Sequence, residues 1–421
     1  MTMDSKTILT RTRGSRWARR WLSGITLLVA LGVGYVARPI LHRHPPASPP
    51  EPDEHTAVTV STGPWGELSY VPITIAAPDE LLPVHKFEAT PAHWVFIGST
   101  RAEVAALFEQ LQLPASQREQ LLSAPALQSE ANGRVDILPP CEIVMALAPE
   151  ARREIYRRIV VDDELGIQLL FVPVEDVDEN FHRYGVSNES IALFKQLSCR
   201  HGNYLVIGGV ACLLQALPSY EEKAHVMKAL TQQKTLLMKL YVTPRSDIHA
   251  LATYWGKGCW TTDVRALLES LSMVPGGAHL DVIELLPPFP TMQLYTFPVP
   301  QNPREGPPVK QDCNWTAFNF FRDKPDSRFA DANYIEQVAR DDYYPVVGDP
   351  RYGDLVLLKL PNGMVVHVAV FIADDIFYTK NGPALMFPWL FAKLSDLLDI
   401  YSFRLNPGEK LTVEYLRNKY Y

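Results

Sequence analysis

Residues Gly353–Gly382 read GDLVLLKLPNGMVVHVAVFIADDIFYTKNG. Two apolar runs, Leu355–Leu360 and Met364–Ile372, flank Pro361-Asn362-Gly363. An Asn-Gly pair between such runs signals a β-hairpin, because its turn needs backbone with positive φ. Asp374-Asp375 turns the chain again, and Ile376–Thr379 reads as a third short strand. The pattern predicts a small antiparallel meander with His367 in the middle of its central strand. His367 is the sole histidine after His279 and sits among Val365, Val366, Val368, Ala369 and Val370. A polar ring in such a place needs a hydrogen-bond partner.

A candidate partner lies upstream in QDCNWTAFNFF, Gln311–Phe321. Asp312 is placed to cap a helix whose first turn holds Cys313, and Trp315, Phe318 and Phe321 recur at helical spacing. A thiol at a helix N-terminus meets the positive end of the dipole, which favours thiolate. The competing reading is a small buried residue, since free cysteines are among the most buried side chains. A helix packed across the meander would bring Cys313 to His367, and a thiol–imidazole pair also needs a third group to orient the ring. On a regular third strand Thr379 and Asn381 share a face and Lys380 points the other way. Asn381 can accept from an imidazole N–H; Asn381-Gly382 also reads as a turn.

Asp312-Cys313-Asn314 opening a helix, Gly353-Asp354-Leu355-Val356 opening a strand, and His367-Val368-Ala369-Val370-Phe371 follow in that order. The set resembles the NlpC family of papain-like cell-wall cysteine peptidases and amidases over about residues 295–400. The resemblance implies Cys313 as nucleophile and His367 as base. The family's third polar residue falls in register with Thr379, where a histidine is common, and Asn314-Trp315 stands where the family usually has Ser-Gly. It further implies acyl transfer: Cys313 attacks a peptide or amide carbonyl, His367 protonates the leaving amine, and water releases the acyl group. The implied substrate is a peptide, in particular a peptidoglycan stem peptide, with no cofactor and no metal.

The N-terminus bears on compartment. Residues 1–20 carry Lys6, Arg11, Arg13, Arg16, Arg19 and Arg20, and Trp21–Ala37 has no charge. An apolar run of about 17–25 residues with a cationic flank predicts a transmembrane anchor, residues 21–37, with its basic end in the cytoplasm. A cleaved signal peptide is the competing reading. Residues 38–60 include Pro39, Pro45, Pro46, Pro49, Pro50 and Pro52 and read as an extended stalk. The expected localisation is a bacterial inner membrane, single pass, with the bulk of the chain facing the periplasm or exterior, attached through the N-terminal helix.

Residues 61–290 alternate short apolar runs with helical patterns. Strands are expected at His93–Gly98, Ile167–Pro173 and Thr235–Val242, and a capping box at Thr100 and Glu103. The region carries no motif that assigns chemistry. Asp176, Asp178 and Asn180 start like a calcium loop, but Phe181 and Ser187 stand where glycine and glutamate belong. The five cysteines form no C-x-x-C pair, which argues against a zinc ribbon. With 421 residues, a net charge of -7 and no basic block outside the N-terminus, the chain has room for several domains and lacks the cationic stripe of a nucleic-acid binder. The expected fold is α+β: an N-terminal transmembrane helix, a mixed α/β accessory region, and a C-terminal papain-like domain over residues 291–421 with a helix packed on a small antiparallel sheet. The expected function is a membrane-anchored cysteine hydrolase. The alternatives are a non-catalytic envelope binding or scaffold protein with a degenerate papain-like module, and an acyltransferase using the same dyad.

Overall fold

The computed structural model describes residues 57–421, apart from 90, 132, 160–168, 176, 259, 260, 303 and 305–307. The Asn-Gly turn forms with Gly363 at φ 86°, and Leu355–Lys359 pairs antiparallel with Val365–Ala373. A second turn, with Asp374 at φ 53°, leads into Ile376–Lys380. The meander is the centre of a larger sheet. Trp389–Lys393 adds beyond Ile376–Lys380, and Thr412–Asn418 followed by Tyr343–Pro345 adds on the other side, giving six antiparallel strands.

Each face of this sheet is covered. Val368, Val370 and Tyr378 point into a core shared with Trp315 and Phe318 of the Cys313–Phe318 helix. Ala369, Phe371 and Phe377 point into a second cluster with Leu397 of the Leu394–Ser402 helix. This is the period-two alternation of a strand buried on both faces.

The Gly-Asp-Leu segment has a local explanation. Gly353 has φ +86°, and a Cβ there would lie 2.3 Å from Phe321; only glycine accepts both conditions. Asp354, 2% exposed, accepts from Arg417 Nε at 2.9 Å and Nη2 at 2.7 Å, and from the Arg351 backbone N–H at 2.7 Å. A bidentate guanidinium pairs a carboxylate that otherwise has no water. It also ties the strand start to the C-terminal strand.

The region before residue 291 is not a separate body. A four-stranded antiparallel sheet joins Val58–Thr59, Glu67–Ile75, Gln233–Val242 and Ala278–Asp281. Its residues Leu68, Met238 and Leu240 share a core with Trp315, Val370 and Phe391. Thr235 Oγ1 donates to the Phe391 carbonyl at 3.0 Å and accepts from the Phe391 N–H at 3.1 Å. Two three-stranded sheets, around Arg134–Ile137 and Tyr204–Ile207, build another core from side chains between residues 77 and 230, joined by Met386 and Phe403. The Thr100–Glu103 capping box forms, and a disulfide joins Cys141 to Cys212.

The transmembrane element of the expected fold is overturned, and with it the single-pass inner-membrane localisation and the attachment through an N-terminal helix. No helix among the described residues is long and apolar enough to cross a membrane. The longest of them, Thr261–Ser272, has 12 residues, about 18 Å of rise against a hydrocarbon core of about 30 Å. The Trp21–Ala37 run to which the anchor was assigned lies outside the described residues, as do Asp162–Glu164, Asp176 and Cys259. What stands is a mixed α/β chain with several antiparallel sheets.

Replacing Arg417 with alanine leaves Asp354 as a buried unpaired carboxylate. Arg417→Ala is expected to lower unfolding stability by about 3–5 kcal/mol in urea titration. A loss below about 1 kcal/mol would contradict this role for the pair.

Candidate functional site

Asp312 caps the cysteine helix by accepting from the Trp315 N–H at 3.0 Å, so Cys313 opens the helix. The helix is only 6 residues long, and Phe321 lies beyond its end. Cys313 is half-buried. Burial, followed by the neighbouring Asp312 carboxylate, pushes its thiol up to about 12. The expectation of a resting thiolate is thereby reversed: a single short helical turn cannot offset desolvation of the sulfur.

His367 is 1% exposed. Burial alone drives its pKa down to about 3, so the ring is neutral at neutral pH. Thr379 Oγ1 stands 2.8 Å from His367 Nε2 and 3.5 Å from the Val368 carbonyl. A carbonyl only accepts, so with the threonine hydroxyl donating to Val368 its oxygen accepts from Nε2–H. That arrangement assigns the Nε2–H tautomer, with a lone pair on Nδ1. Nδ1 is buried and has no hydrogen-bond partner.

Strand divergence explains why these side chains gather here. Pairing between the central and third strands runs from Ala373↔Ile376 to Val370↔Tyr378 and stops. Beyond it, Val368 has neither N–H nor C=O in that ladder. The Thr379 hydroxyl meets its carbonyl, and the Cys313 sulfur lies at its N–H. A bulge between Leu358 and Lys359 on the other side of the central strand reorients the chain just before His367, a common device for re-aiming a side chain.

The imidazole points to the face occupied by the Leu394–Ser402 helix, where it stacks on Tyr401 with ring centroids 4.2 Å apart and planes at 19°. The cysteine helix covers the opposite face, and its first residue reaches the gap at Val368. Cys313 and His367 thus approach one opening in the sheet from its two faces without a hydrogen bond between them.

Asn381 does not orient His367. It is half-buried, and its Oδ1 accepts from the Tyr401 hydroxyl at 3.5 Å. Thr379 alone of the two candidates meets the ring. Two further residues belong to the cluster. Lys380 is wholly buried; its Nζ donates to the carbonyls of Gly382 at 2.5 Å and Ala384 at 3.0 Å and lies 5.9 Å from the Trp389 ring centroid. Burial pulls its pKa down to about 7, against the pull of Asp312 and Cys313. Trp389 in turn donates from Nε1 to Thr316 Oγ1 at 2.9 Å, fixing the cysteine helix on the sheet. Neither Lys380 nor Tyr401 carried a signal in sequence, because their roles depend on which strand edge and helix end they reach.

Among the described residues no group of histidine, cysteine or carboxylate side chains is placed to hold a metal ion. Comparison of the chain with family models and with curated proteins returns no match.

A histidine that titrates near 6.5 when unfolded and near 3 when folded binds more protons in the unfolded state between those values. Its contribution to stability is therefore present above about pH 6.5 and is lost as pH falls. Between pH 7 and pH 5 wild-type protein should lose about 2 kcal/mol more stability than His367→Gln, measured by denaturant unfolding at both pH values. Parallel losses would show that His367 is not buried in neutral form.

Proposed function

We propose that Cys313, His367 and Thr379 form a cysteine hydrolase centre that cleaves peptide or amide bonds, and that peptidoglycan stem peptides are its substrate class. One observation carries this reading: His367 Nδ1 is buried and without a hydrogen-bond partner while Thr379 Oγ1 engages Nε2 at 2.8 Å, which leaves Nδ1 available as a base. An orphaned polar atom in a buried site calls for an explanation, and a catalytic role is one of few. The D-C, G-D-L and H-V-A-V-F motifs add the resemblance on which the substrate class rests.

The resting pair is neutral on both sides. Catalysis therefore uses His367 as a general base, taking the thiol proton as sulfur attacks the carbonyl carbon and the C–S bond forms. The imidazolium then gives that proton to the leaving nitrogen as the C–N bond breaks. Water attacks the thioester, giving its proton to Nδ1 and hydroxide to the acyl carbon, and the thiol recovers the proton on release. The Cys313 backbone N–H at the helix start is the donor for the developing oxyanion. Tyr401 must move off the ring for substrate to reach Nδ1.

A second reading has its own observation. Cys313 and Thr379 between them satisfy Val368, and Tyr401 seals His367, which together suit a structural cluster in a non-catalytic module. Activity and thiol chemistry separate the two readings. In the hydrolase, Cys313→Ala abolishes release of amine from stem peptides and simple amides. His367→Ala then lowers kcat/KM by about 10²–10⁴, and Thr379→Ser is active where Thr379→Val is impaired. The pH profile should stay flat down to about pH 5, with no limb near the ordinary histidine value. No turnover by wild type, with Cys313 alkylated as slowly as the buried Cys199 thiol, which burial pushes up to about 11, would establish the non-catalytic reading.

A further inference from the structure

We infer that the cavity beside the His367 cluster binds an amphipathic carboxylate, an apolar chain ended by an anionic acceptor group. The cavity has a volume of about 460 Å³, within the roughly 300–1,000 Å³ range of small-molecule sites. Its walls come from two parts of the fold. Leu169 and Phe171 belong to the region before the C-terminal sheet, and Leu397, Ile400 and Phe403 to the Leu394–Ser402 helix and its exit. These five apolar side chains suit an alkyl chain.

One polar group on the lining lacks the partner that its burial calls for, and a second has donors to spare. Gln232 is 5% exposed, and its Nε2 has no hydrogen-bond partner. Arg404 is half-buried; among the described residues its guanidinium makes one hydrogen bond, from Nη1 to the Ile159 carbonyl at 2.8 Å, and pairs with no carboxylate. Both groups are donors, and one is a cation, so the complementary ligand ends in acceptors and carries negative charge. Two other charges on the lining are engaged with neighbours. Lys234 pairs with Glu175 at 3.0 Å, and Asp396 is hydrogen-bonded by the Tyr204 side chain. A carboxylate meets the guanidinium in bidentate geometry as well as charge. Tyr401 forms a wall of the same cavity while stacking on His367, so a bound chain would lie against the residue that covers the imidazole. The inference does not depend on catalysis at Cys313.

Calorimetric titration of the full chain with sodium decanoate and with decan-1-ol tests it. Decanoate is expected to bind with a micromolar Kd and decanol about tenfold or more weaker, with Arg404→Gln bringing the two together. Ile400→Trp, at a half-buried position, fills the cavity and should remove binding while far-UV circular dichroism shows the fold intact. Cys313→Ala should bind decanoate as wild type does, which keeps this result separate from any failure of the hydrolase reading. Absence of decanoate binding to wild type, equal affinity for the alcohol, or binding undiminished in Ile400→Trp would each overturn the inference.

Discussion

An imidazole set in an apolar strand must be satisfied from within the sheet, and here that task falls to one hydroxyl. The Thr379–His367 hydrogen bond at 2.8 Å, taken with the Val368 carbonyl as the hydroxyl's acceptor, assigns the proton to Nε2 and leaves Nδ1 free to act. It forms because the central and third strands separate just after Val370↔Tyr378, so that Thr379 turns its oxygen between Nε2 and the Val368 carbonyl. Losing such a buried bond while leaving Nε2–H in place costs about 1–3 kcal/mol. The cluster is therefore bound up with how the sheet ends its ladder as well as with any chemistry.

Electrostatics in the cluster are governed by desolvation. The thiol goes up, the imidazole goes down and the Lys380 ammonium is weakened, each with burial as the first cause. Every shift favours the neutral form, which is what a water-poor site does to groups that lack a close counter-charge. Asp312, whose own carboxyl is raised by burial, is occupied as a helix cap. The resting state is thus a neutral thiol and a neutral imidazole, which differs from the thiolate–imidazolium pair that a helix N-terminus alone would suggest.

The turn chemistry made the meander legible. Asn362-Gly363 demands the positive φ that the structure shows, and the alternation of Val368 to Ile372 placed both faces in cores. Asp312 as cap was readable from spacing, and Thr379 as the residue facing the histidine was implied by the family resemblance. The outer strands were not: Trp389–Lys393 is a short apolar run continuous with a helix, and Thr412–Asn418 is half-exposed at most positions, so neither carries a decisive period. Asn381 was a reasonable acceptor by chemistry, yet it sits past the strand end, where Tyr401 claims it. Tyr401 and Lys380 had no signal because stacking and carbonyl capture are tertiary events. At Cys313 burial outweighs helix position, and burial is not displayed by a sequence.

The neutral Nε2–H tautomer of His367 is the claim on which the account of the site turns. Imidazole ¹⁵N chemical shifts of His367, assigned with the His367→Gln variant and followed from pH 8 to pH 4, measure it directly. The account predicts a protonated Nε2 and an unprotonated Nδ1 at neutral pH, with no titration until the pH falls below about 4. An imidazolium at pH 7, or a proton resident on Nδ1, would contradict it.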